Sequence, residues 1–243
     1  MNIFPFVSSE VETQIGCGPP RGISTTLDAS DFLRINKIHE VPLTGHYKLD
    51  AISPEIAVTF GADAGPDPWA GGALFPGTFA PVIARAGRTG KCVIRPMHWG
   101  YPPPGASTEA LGPEPPRWVA QVRNVESPFW IGNLRHTELR CLIPATAFAV
   151  RYGGKEHWHS VRDRPLFAIA GIWRDLTDMP VFAVLTTEPN SALLPVEGDK
   201  GPSAMPLILH SCDHDRWLQA DWKEAAQLVE PFPAPDTIQV QDQ

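Results

Sequence analysis

Cysteines and long apolar runs are scarce in this 243-residue sequence. Its four cysteines (Cys17, Cys92, Cys141 and Cys212) are widely spaced and form no Cys-x-x-Cys pair. This spacing argues against a disulfide framework and a zinc site, and it predicts reduced thiols in a cytoplasmic protein. No apolar run approaches the roughly 20 residues of a transmembrane helix, so we expect no membrane partner. The N-terminus lacks a basic start and a long apolar segment, which argues against a secretory signal.

Charge is also limited, since 19% of the residues are charged and the net charge is −7. That sign argues against a protein that binds nucleic acid by bulk charge alone. The distribution is uneven: residues 90–176 carry 11 basic and 7 acidic side chains, net +4, whereas residues 1–89 are net −3 and residues 177–243 net −8. The middle third is therefore the part suited to meeting phosphate, and its arginines suit bidentate contacts. A basic segment that is simply solvated remains the alternative.

The residues that are abundant predict a β-rich α+β domain, because 43% of them are hydrophobic and can bury a substantial core. Apolar runs of strand length between residues 140 and 173 predict strands in the middle of a sheet. Further strands are expected at 80–84 and 91–95 as a hairpin, at 156–161, 166–172 and 181–186, and at the edge segments 41–43 and 56–60. Helices are expected at 127–138 and from an N-cap at Asp213 to about Val229. The strands follow one another too closely for helical crossovers between most of them.

Five segments occur in a recognisable order. They are Trp-Gly at 99–100, Val-Arg-Asn at 122–124 with Ser-Pro-Phe-Trp at 127–130, Arg-Cys-Leu-Ile-Pro at 140–144, Phe-Ala-Ile-Ala-Gly-Ile-Trp at 167–173, and Leu-Thr-Thr-Glu-Pro-Asn at 185–190 followed by Ala-Met-Pro-Leu-Ile-Leu at 204–209. In this joint order the chain resembles the SOS-response-associated peptidase (SRAP) family. The resemblance covers residues 74–235 well, leaving a divergent part at 1–73 and a tail at 236–243 of one domain expected to span 1–243.

The resemblance implies an α+β domain with a strongly curved, barrel-like, mainly antiparallel sheet, a few flanking helices and no cofactor. Members of the family act in the DNA-damage response, bind single-stranded DNA and trap abasic sites. In them a cysteine that follows the initiator methionine attacks the aldehyde of the opened abasic sugar with its amine and thiol, and a thiazolidine forms. A glutamate and a histidine assist, while an asparagine and an arginine hold the terminus and the DNA.

This sequence departs from the family where the chemistry lies. Asn2 stands at the cysteine position, Val150 at the glutamate position, and Gly201 or Pro202 at the histidine position. Glutamine replaces the asparagine. By position, the resemblance assigns DNA binding to Trp99, Gln121, Arg123, Asn124, Met205 and Pro206.

These substitutions predict that the covalent step is lost. A thiazolidine needs an amine and a thiol on adjacent carbons, and internal cysteines carry amide nitrogens instead of amines. Cys141 in particular lies in an apolar strand and is expected to be a buried small hydrophobe. Val150 can neither take nor give a proton, so acid–base help from that position is absent. We expect no catalytic residue at these positions and no stable crosslink to abasic DNA.

Several of the candidate site residues can also be interpreted as purely structural. Trp99 either stacks on a base, which contributes roughly 1–3 kcal/mol, or packs inside the protein. Arg123 either clamps a phosphate or forms a structural ion pair, for instance with Glu126. His157 and His159 share one strand face, but nothing in their spacing favours a metal site, and none is expected.

Three functions remain open. The first is a divergent family member that binds single-stranded or abasic DNA without the covalent step. The second is an active hydrolase, lyase or peptidase-like enzyme that uses the N-terminal amine or a relocated base. The third is a non-enzymatic interaction module that kept the fold. Salt-dependent binding of single-stranded DNA separates the first from the third, and product formation on abasic DNA separates the second from both.

Overall fold

The computed structural model describes residues 45–66, 68–87, 89–103, 118–176, 179–194 and 200–240. Position 2, the edge strand expected at 41–43 and residues 104–117 lie outside these ranges. Within them, no helix is long and apolar enough to cross a membrane.

The described residues form mostly short strands with a few helices between them. The strands are β1 (Tyr47–Leu49), β2 (Gly72–Leu74), β3 (Phe79–Arg85), β4 (Cys92–Trp99), β5 (Gln121–Val122), β6 (Arg140–Ala145), β7 (Ala147–Tyr152), β8 (Lys155–Val161), β9 (Phe167–Leu176), β10 (Met179–Thr187), β11 (Met205–Pro206), β12 (Ile208–Leu209) and β13 (Thr237–Val240). The helices are α1 (Ser53–Phe60), α2 (Pro128–Arg135), α3 (His214–Gln219) and α4 (Trp222–Ala225). The predicted hairpin is confirmed as β3 and β4, and the helix expected at 127–138 as α2 followed by a 3-10 turn at Thr137–Leu139.

Five strands close into a barrel in the order β10, β4, β3, β6, β9 and back to β10. Four of the five pairings are antiparallel, whereas β10 and β4 run parallel, with Val181 opposite His98. All six residues of β6 are buried, which explains why its sequence is a continuous apolar run instead of an alternating one. The predicted α+β fold with a barrel-like, mainly antiparallel sheet is confirmed.

A second sheet has the strand order β13, β8, β7, β1, β2. The chain passes into it from the barrel at Thr146, the residue between β6 and β7. Two donors of Thr146, its backbone N–H and its hydroxyl, reach the Lys48 carbonyl on β1 at 2.7 and 3.0 Å. The same hydroxyl accepts a 3.1 Å hydrogen bond from the Asp50 N–H. One continuous stretch of sequence thus joins the two sheets.

The barrel strands β9 and β10 diverge at one end, and residues 205–209 fill the gap. Leu207 bridges the two strands, because its N–H donates to the Leu185 carbonyl at 2.9 Å and its carbonyl accepts from the Ala170 N–H at 2.8 Å. On either side, β11 pairs with the end of β10 and β12 with the start of β9. This rim of the barrel carries several of the residues that surround the candidate site.

The edge strand predicted at 56–60 is wrong, since these residues belong to α1. The helix start is set by Pro54 in the first turn and by Glu55, whose carboxylate accepts a 3.0 Å hydrogen bond from the Ile52 N–H. Gly61 ends the helix at φ 60°, a left-handed conformation that glycine adopts without steric penalty. These end signals outweigh the β-branched residues between them, which disfavour helix only weakly.

The long helix predicted from Asp213 to about Val229 is also wrong, because α3 and α4 are separate and a 3-10 turn follows them. Asp221 begins α4 by accepting a 2.9 Å hydrogen bond from a backbone N–H of that helix. The Ala220 carbonyl, which ends α3, accepts a hydrogen bond from the buried guanidinium of Arg140. A contact with the barrel and a second cap therefore divide the helix.

Gly171→Ala is expected to destabilise the barrel. The added Cβ would lie 2.5 Å from Ile143 Cδ1 and 2.9 Å from Cys141 Sγ, both on the neighbouring strand β6. Overpacking of this kind lowers the free energy of unfolding by about 1–3 kcal/mol, which chemical denaturation measures. Gly132→Ala in α2 is the control, because no contact within 4 Å is expected there and alanine stabilises a helix by about 1 kcal/mol relative to glycine. Equal stability of the two variants would contradict this packing.

Candidate functional site

A small pocket, with room for little more than one water molecule, lies where the rim of the barrel meets the second sheet. Most of its lining is apolar, and both sheets contribute to it. Its lining residues are His46, Tyr47, Trp99, Gln121, Phe148, Ala149, Ile169, Val184, Thr186 and Pro206. Sites for drug-sized ligands share this mainly apolar lining but are much larger.

Three of the residues to which the resemblance assigned DNA binding, Trp99, Gln121 and Pro206, meet at this pocket. Trp99 is only 2% exposed. Its Nε1 donates to the Ala120 carbonyl at 3.0 Å, and its ring stacks on Phe182 at a centroid distance of 6.0 Å. Packing inside the protein therefore accounts for its position, and a contact with DNA would have to be made through the pocket.

Arg123 and Asn124 follow β5, immediately after the segment that reaches the pocket. The Arg123 side chain is 51% exposed; its guanidinium donates to the Ser203 carbonyl at 2.5 Å and lies 3.8 Å from the Glu188 carboxylate. The ion pair suggested with Glu126 is thus made with Glu188 instead. Asn124 holds a turn, since its side-chain oxygen accepts a 2.9 Å hydrogen bond from the Glu126 N–H.

The positions assigned to the catalytic glutamate and histidine do not line the pocket. Val150 lies on β7 opposite His157 and is 1% exposed within the apolar core. Gly201 lies in the irregular segment before β11, and Met205 of β11 is fully buried. Asn2, at the position of the cysteine, is outside the described residues. Neither Val150 nor Gly201 carries a side chain that transfers protons.

Cys141 is completely buried in β6, as predicted for a small hydrophobe. Burial raises the pKa of its thiol well above the usual value, so the thiol is not ionised at neutral pH. Cys92 and Cys212 are also free thiols.

The histidine at the pocket, His46, is a functional candidate that sequence analysis missed. Its Nδ1 lies 3.0 Å from Oε1 of Glu156 on β8, and that oxygen also accepts a 2.9 Å hydrogen bond from Arg151 on β7. The Arg151 hydrogen bond, supported by the neighbouring His46, holds the pKa of Glu156 below its usual range, so the carboxylate is an anion at neutral pH. The His46 ring packs edge-on against Phe75 at a centroid distance of 4.2 Å.

Tyr47, the next residue, also lines the pocket. Tyr47 is 2% exposed, and its hydroxyl has no hydrogen-bond partner within the described part of the chain. Burial raises the pKa of this hydroxyl well above its usual value, so it remains protonated. Buried polar groups without a partner are rare.

No group of three or more His, Cys, Asp or Glu side chains among the described residues could hold a metal ion. His157 and His159 lie on β8, and each stacks on an aromatic ring of β7. His157 stacks on Tyr152 at a centroid distance of 3.7 Å, and His159 stacks on Phe148 at 5.7 Å. Packing against these rings therefore accounts for the positions of both histidine side chains.

Comparison with known proteins assigns the chain to a family. The sequence matches the family described as SOS response associated peptidase (SRAP) over residues 43–242. The chain belongs to the SRAP family. The matched range begins upstream of the recognised motifs and includes every residue that lines the pocket. Membership associates the protein with the SOS response.

Solved structures share the SRAP fold of this chain. A protein from Bordetella bronchiseptica has a TM-score of 0.65 at 19% identity, covering 82% of this chain and 99% of its own. A protein from Bacteroides thetaiotaomicron has a TM-score of 0.61 at 21% identity, with coverages of 80% and 90%. A phage-related protein from Bordetella bronchiseptica has a TM-score of 0.55 at 15% identity, with coverages of 81% and 92%. At these identities the likeness establishes the fold. No curated protein matches the chain.

Proposed function

We propose that this SRAP protein binds single-stranded or abasic-site DNA in the cytoplasm and does not form the family's thiazolidine crosslink. The proposal is supported by the residues at the family's positions, since an arginine remains at 123 whereas a valine stands at the glutamate position. Gln121 lines the pocket and the exposed Arg123 follows it, whereas Val150, at the glutamate position, is buried among apolar side chains. Binding can therefore persist without the covalent step.

Arg123 is suited to a phosphate contact. Its only nearby anion in the described residues is the Glu188 carboxylate at 3.8 Å, and both side chains are more than half exposed. An exposed pair of this kind contributes little. A phosphate would offer two parallel charge-assisted hydrogen bonds to the guanidinium, which are stronger and more directional.

Two exposed aromatic rings support binding of single strands. Phe75, 41% exposed, packs against His46 of the pocket, and Phe79, 52% exposed, packs against His98 at a centroid distance of 5.5 Å. Unpaired bases stack on such rings, at roughly 1–3 kcal/mol per base. Bases in a duplex are already stacked, so these rings favour single-stranded DNA.

Arg123→Ala is expected to weaken single-stranded DNA binding uniformly across sequences. Because one phosphate contact is lost, the slope of the logarithm of the binding constant against the logarithm of salt concentration should fall by about 1. Fluorescence anisotropy with labelled intact and abasic oligonucleotides over a series of salt concentrations measures this slope.

Arg95→Ala is the matched control for Arg123→Ala. The Arg95 guanidinium pairs with Asp175 at 3.5 Å and lies 5.0 Å from the centre of the Trp173 ring. Because the family resemblance assigns no DNA contact to Arg95, its removal should leave the slope unchanged. Wild-type protein that shows no salt-dependent DNA binding would overturn the proposal in favour of an interaction module. A heat-stable adduct between abasic DNA and the N-terminus, seen on a denaturing gel, would overturn the proposal that no crosslink forms.

A further inference from the structure

We propose that Glu188 is a competing anion at Arg123, which partly neutralises the guanidinium in the DNA-free protein and is displaced by a phosphate when DNA binds. This role of Glu188 rests on the proposed contact between Arg123 and DNA. It makes Glu188 a residue that sets affinity, because its carboxylate weakens the binding of every DNA strand that seats a phosphate on Arg123.

The fold places Glu188 and Arg123 near each other at the same end of two paired strands. β5 and β10 run parallel, with Val122 opposite Leu185, so the residues that follow leave the sheet in the same direction. The Thr186 hydroxyl donates to the Val122 carbonyl at 3.4 Å and joins the two strands at this end. The closeness of the two charges is therefore a consequence of strand pairing and does not depend on their attraction.

The backbone of Glu188 is held in place, whereas its carboxylate is free to turn away. The Glu188 carbonyl accepts a 3.2 Å hydrogen bond from the Thr187 hydroxyl, and Pro189 restricts the residue before it to extended conformations. The Glu188 side chain is 79% exposed. A ligand can therefore displace the carboxylate into water without disturbing the core.

The Arg123 guanidinium is oriented by Ser203 and not by Glu188. It donates a hydrogen bond to the Ser203 carbonyl at 2.5 Å. Oε1 of Glu188 lies 3.8 Å away, which is beyond hydrogen-bond distance, so the attraction between the two charges lacks direction. Removal of the carboxylate should leave the guanidinium in place and make its charge available to a ligand.

A phosphate and the Glu188 carboxylate compete for one cation. Two anions beside the same guanidinium repel each other, so each lowers the favourable energy that the other gains. Glu188 belongs to the acidic residues 177–243, with a net charge of −8, whereas Arg123 lies in the basic middle third. A phosphate can displace the carboxylate because it forms charge-assisted hydrogen bonds to the guanidinium, which the carboxylate at 3.8 Å does not form.

Glu188→Gln is expected to tighten the binding of single-stranded DNA by about fivefold at low salt, the upper end of what an exposed ion pair contributes. Glutamine keeps the size of the side chain and removes its charge. The factor should be the same for intact and abasic oligonucleotides, and it should shrink as salt concentration rises. Fluorescence anisotropy with the full chain measures the dissociation constants, and thermal unfolding should be unchanged because the pair is exposed.

Glu224→Gln is the matched control, because it also removes one acidic charge from an exposed pair, here with Arg216 at 3.0 Å. The family resemblance assigns no DNA contact to either residue of that pair, so any gain in this variant reports the change in net charge alone. The second control combines Glu188→Gln with Arg123→Ala. Without the cation, the gain from Glu188→Gln should fall to that of Glu224→Gln.

The outcomes separate the role of Glu188 from the proposed function. If wild-type protein binds DNA and Glu188→Gln gains no more than Glu224→Gln, the role of Glu188 is overturned and the proposed function stands. Weaker binding by Glu188→Gln also overturns this role, because the carboxylate would then position Arg123 for DNA. A gain that persists in the Arg123→Ala background overturns it as well. Absence of DNA binding by both wild type and Glu188→Gln overturns both proposals.

Discussion

Trp217→Ala is expected to lower the free energy of unfolding by about 3–5 kcal/mol. Trp217 is fully buried and is the largest by volume of the fully buried residues in the described part of the chain. It anchors α3 on the barrel, where its Nε1 donates a 3.0 Å hydrogen bond to the Cys141 carbonyl on β6. Truncation leaves a cavity and also removes the partner of a buried carbonyl. Chemical denaturation followed by circular dichroism measures the loss.

Two control variants show how much of the stability lost in Trp217→Ala comes from the hydrogen bond and how much is specific to this position. Trp217→Phe keeps most of the ring and removes the hydrogen bond, so it should lower the free energy of unfolding by about 1–3 kcal/mol. Trp222→Ala removes a partly buried ring that meets Trp217 edge-on at 6.4 Å, and its loss should be smaller than that of Trp217→Ala. A Trp217→Ala variant as stable as the wild type would contradict the anchoring of α3.

Val150→Glu, which introduces the residue type that the family resemblance assigns to this position, is expected to destabilise the protein and not to activate it. Val150 is 1% exposed in the apolar core beside Phe148 and does not line the pocket. A carboxylate buried there without a partner should lower the free energy of unfolding by about 3–5 kcal/mol at neutral pH. Denaturation at several pH values measures the effect.

The pH dependence of Val150→Glu has a definite sign. Burial raises the pKa of the new carboxyl in the folded state, so the folded protein binds a proton that the unfolded chain releases. The charge-related loss is therefore complete above the folded-state pKa and disappears as pH falls to the unfolded value of about 4.3. Val150→Thr, which adds a polar group without a charge, should show a loss that is independent of pH. A Glu variant that is fully stable at pH 7 would contradict the buried position.

The strands of the barrel could be predicted from sequence because they carry a local signal, whereas their closure into a barrel was expected from the resemblance to the SRAP family. Both faces of β6 are buried, so its residues form a continuous apolar run with strand length. Where the local signal was mixed, prediction was wrong. The β-branched residues at 58 and 59 suggested a strand, but the helix ends at Pro54 and Gly61 determined α1. In the C-terminal segment, helical spacing continued through a break that a second cap and a contact from Arg140 introduce.

The candidate site was only partly predictable. Motif order located Gln121, Trp99 and Pro206, and the structure places all three at one pocket. His46 and Glu156 carried no such signal, because neither belongs to a recognised motif and they lie far apart in the chain. Their pairing requires β1, β7 and β8 to be neighbours in the second sheet.

By itself, the sequence determined the β-rich α+β class through strand patterning and, through the order of its motifs, the family and with it the barrel, because strand patterning and residue identity are local properties. Tertiary structure alone decided that Trp99 is buried, that Arg123 pairs with Glu188, and that His46 faces Glu156 beside a Tyr47 hydroxyl with no partner among the described residues. Burial and pairing depend on which strands become neighbours, and strand order is set by the packing of the whole chain.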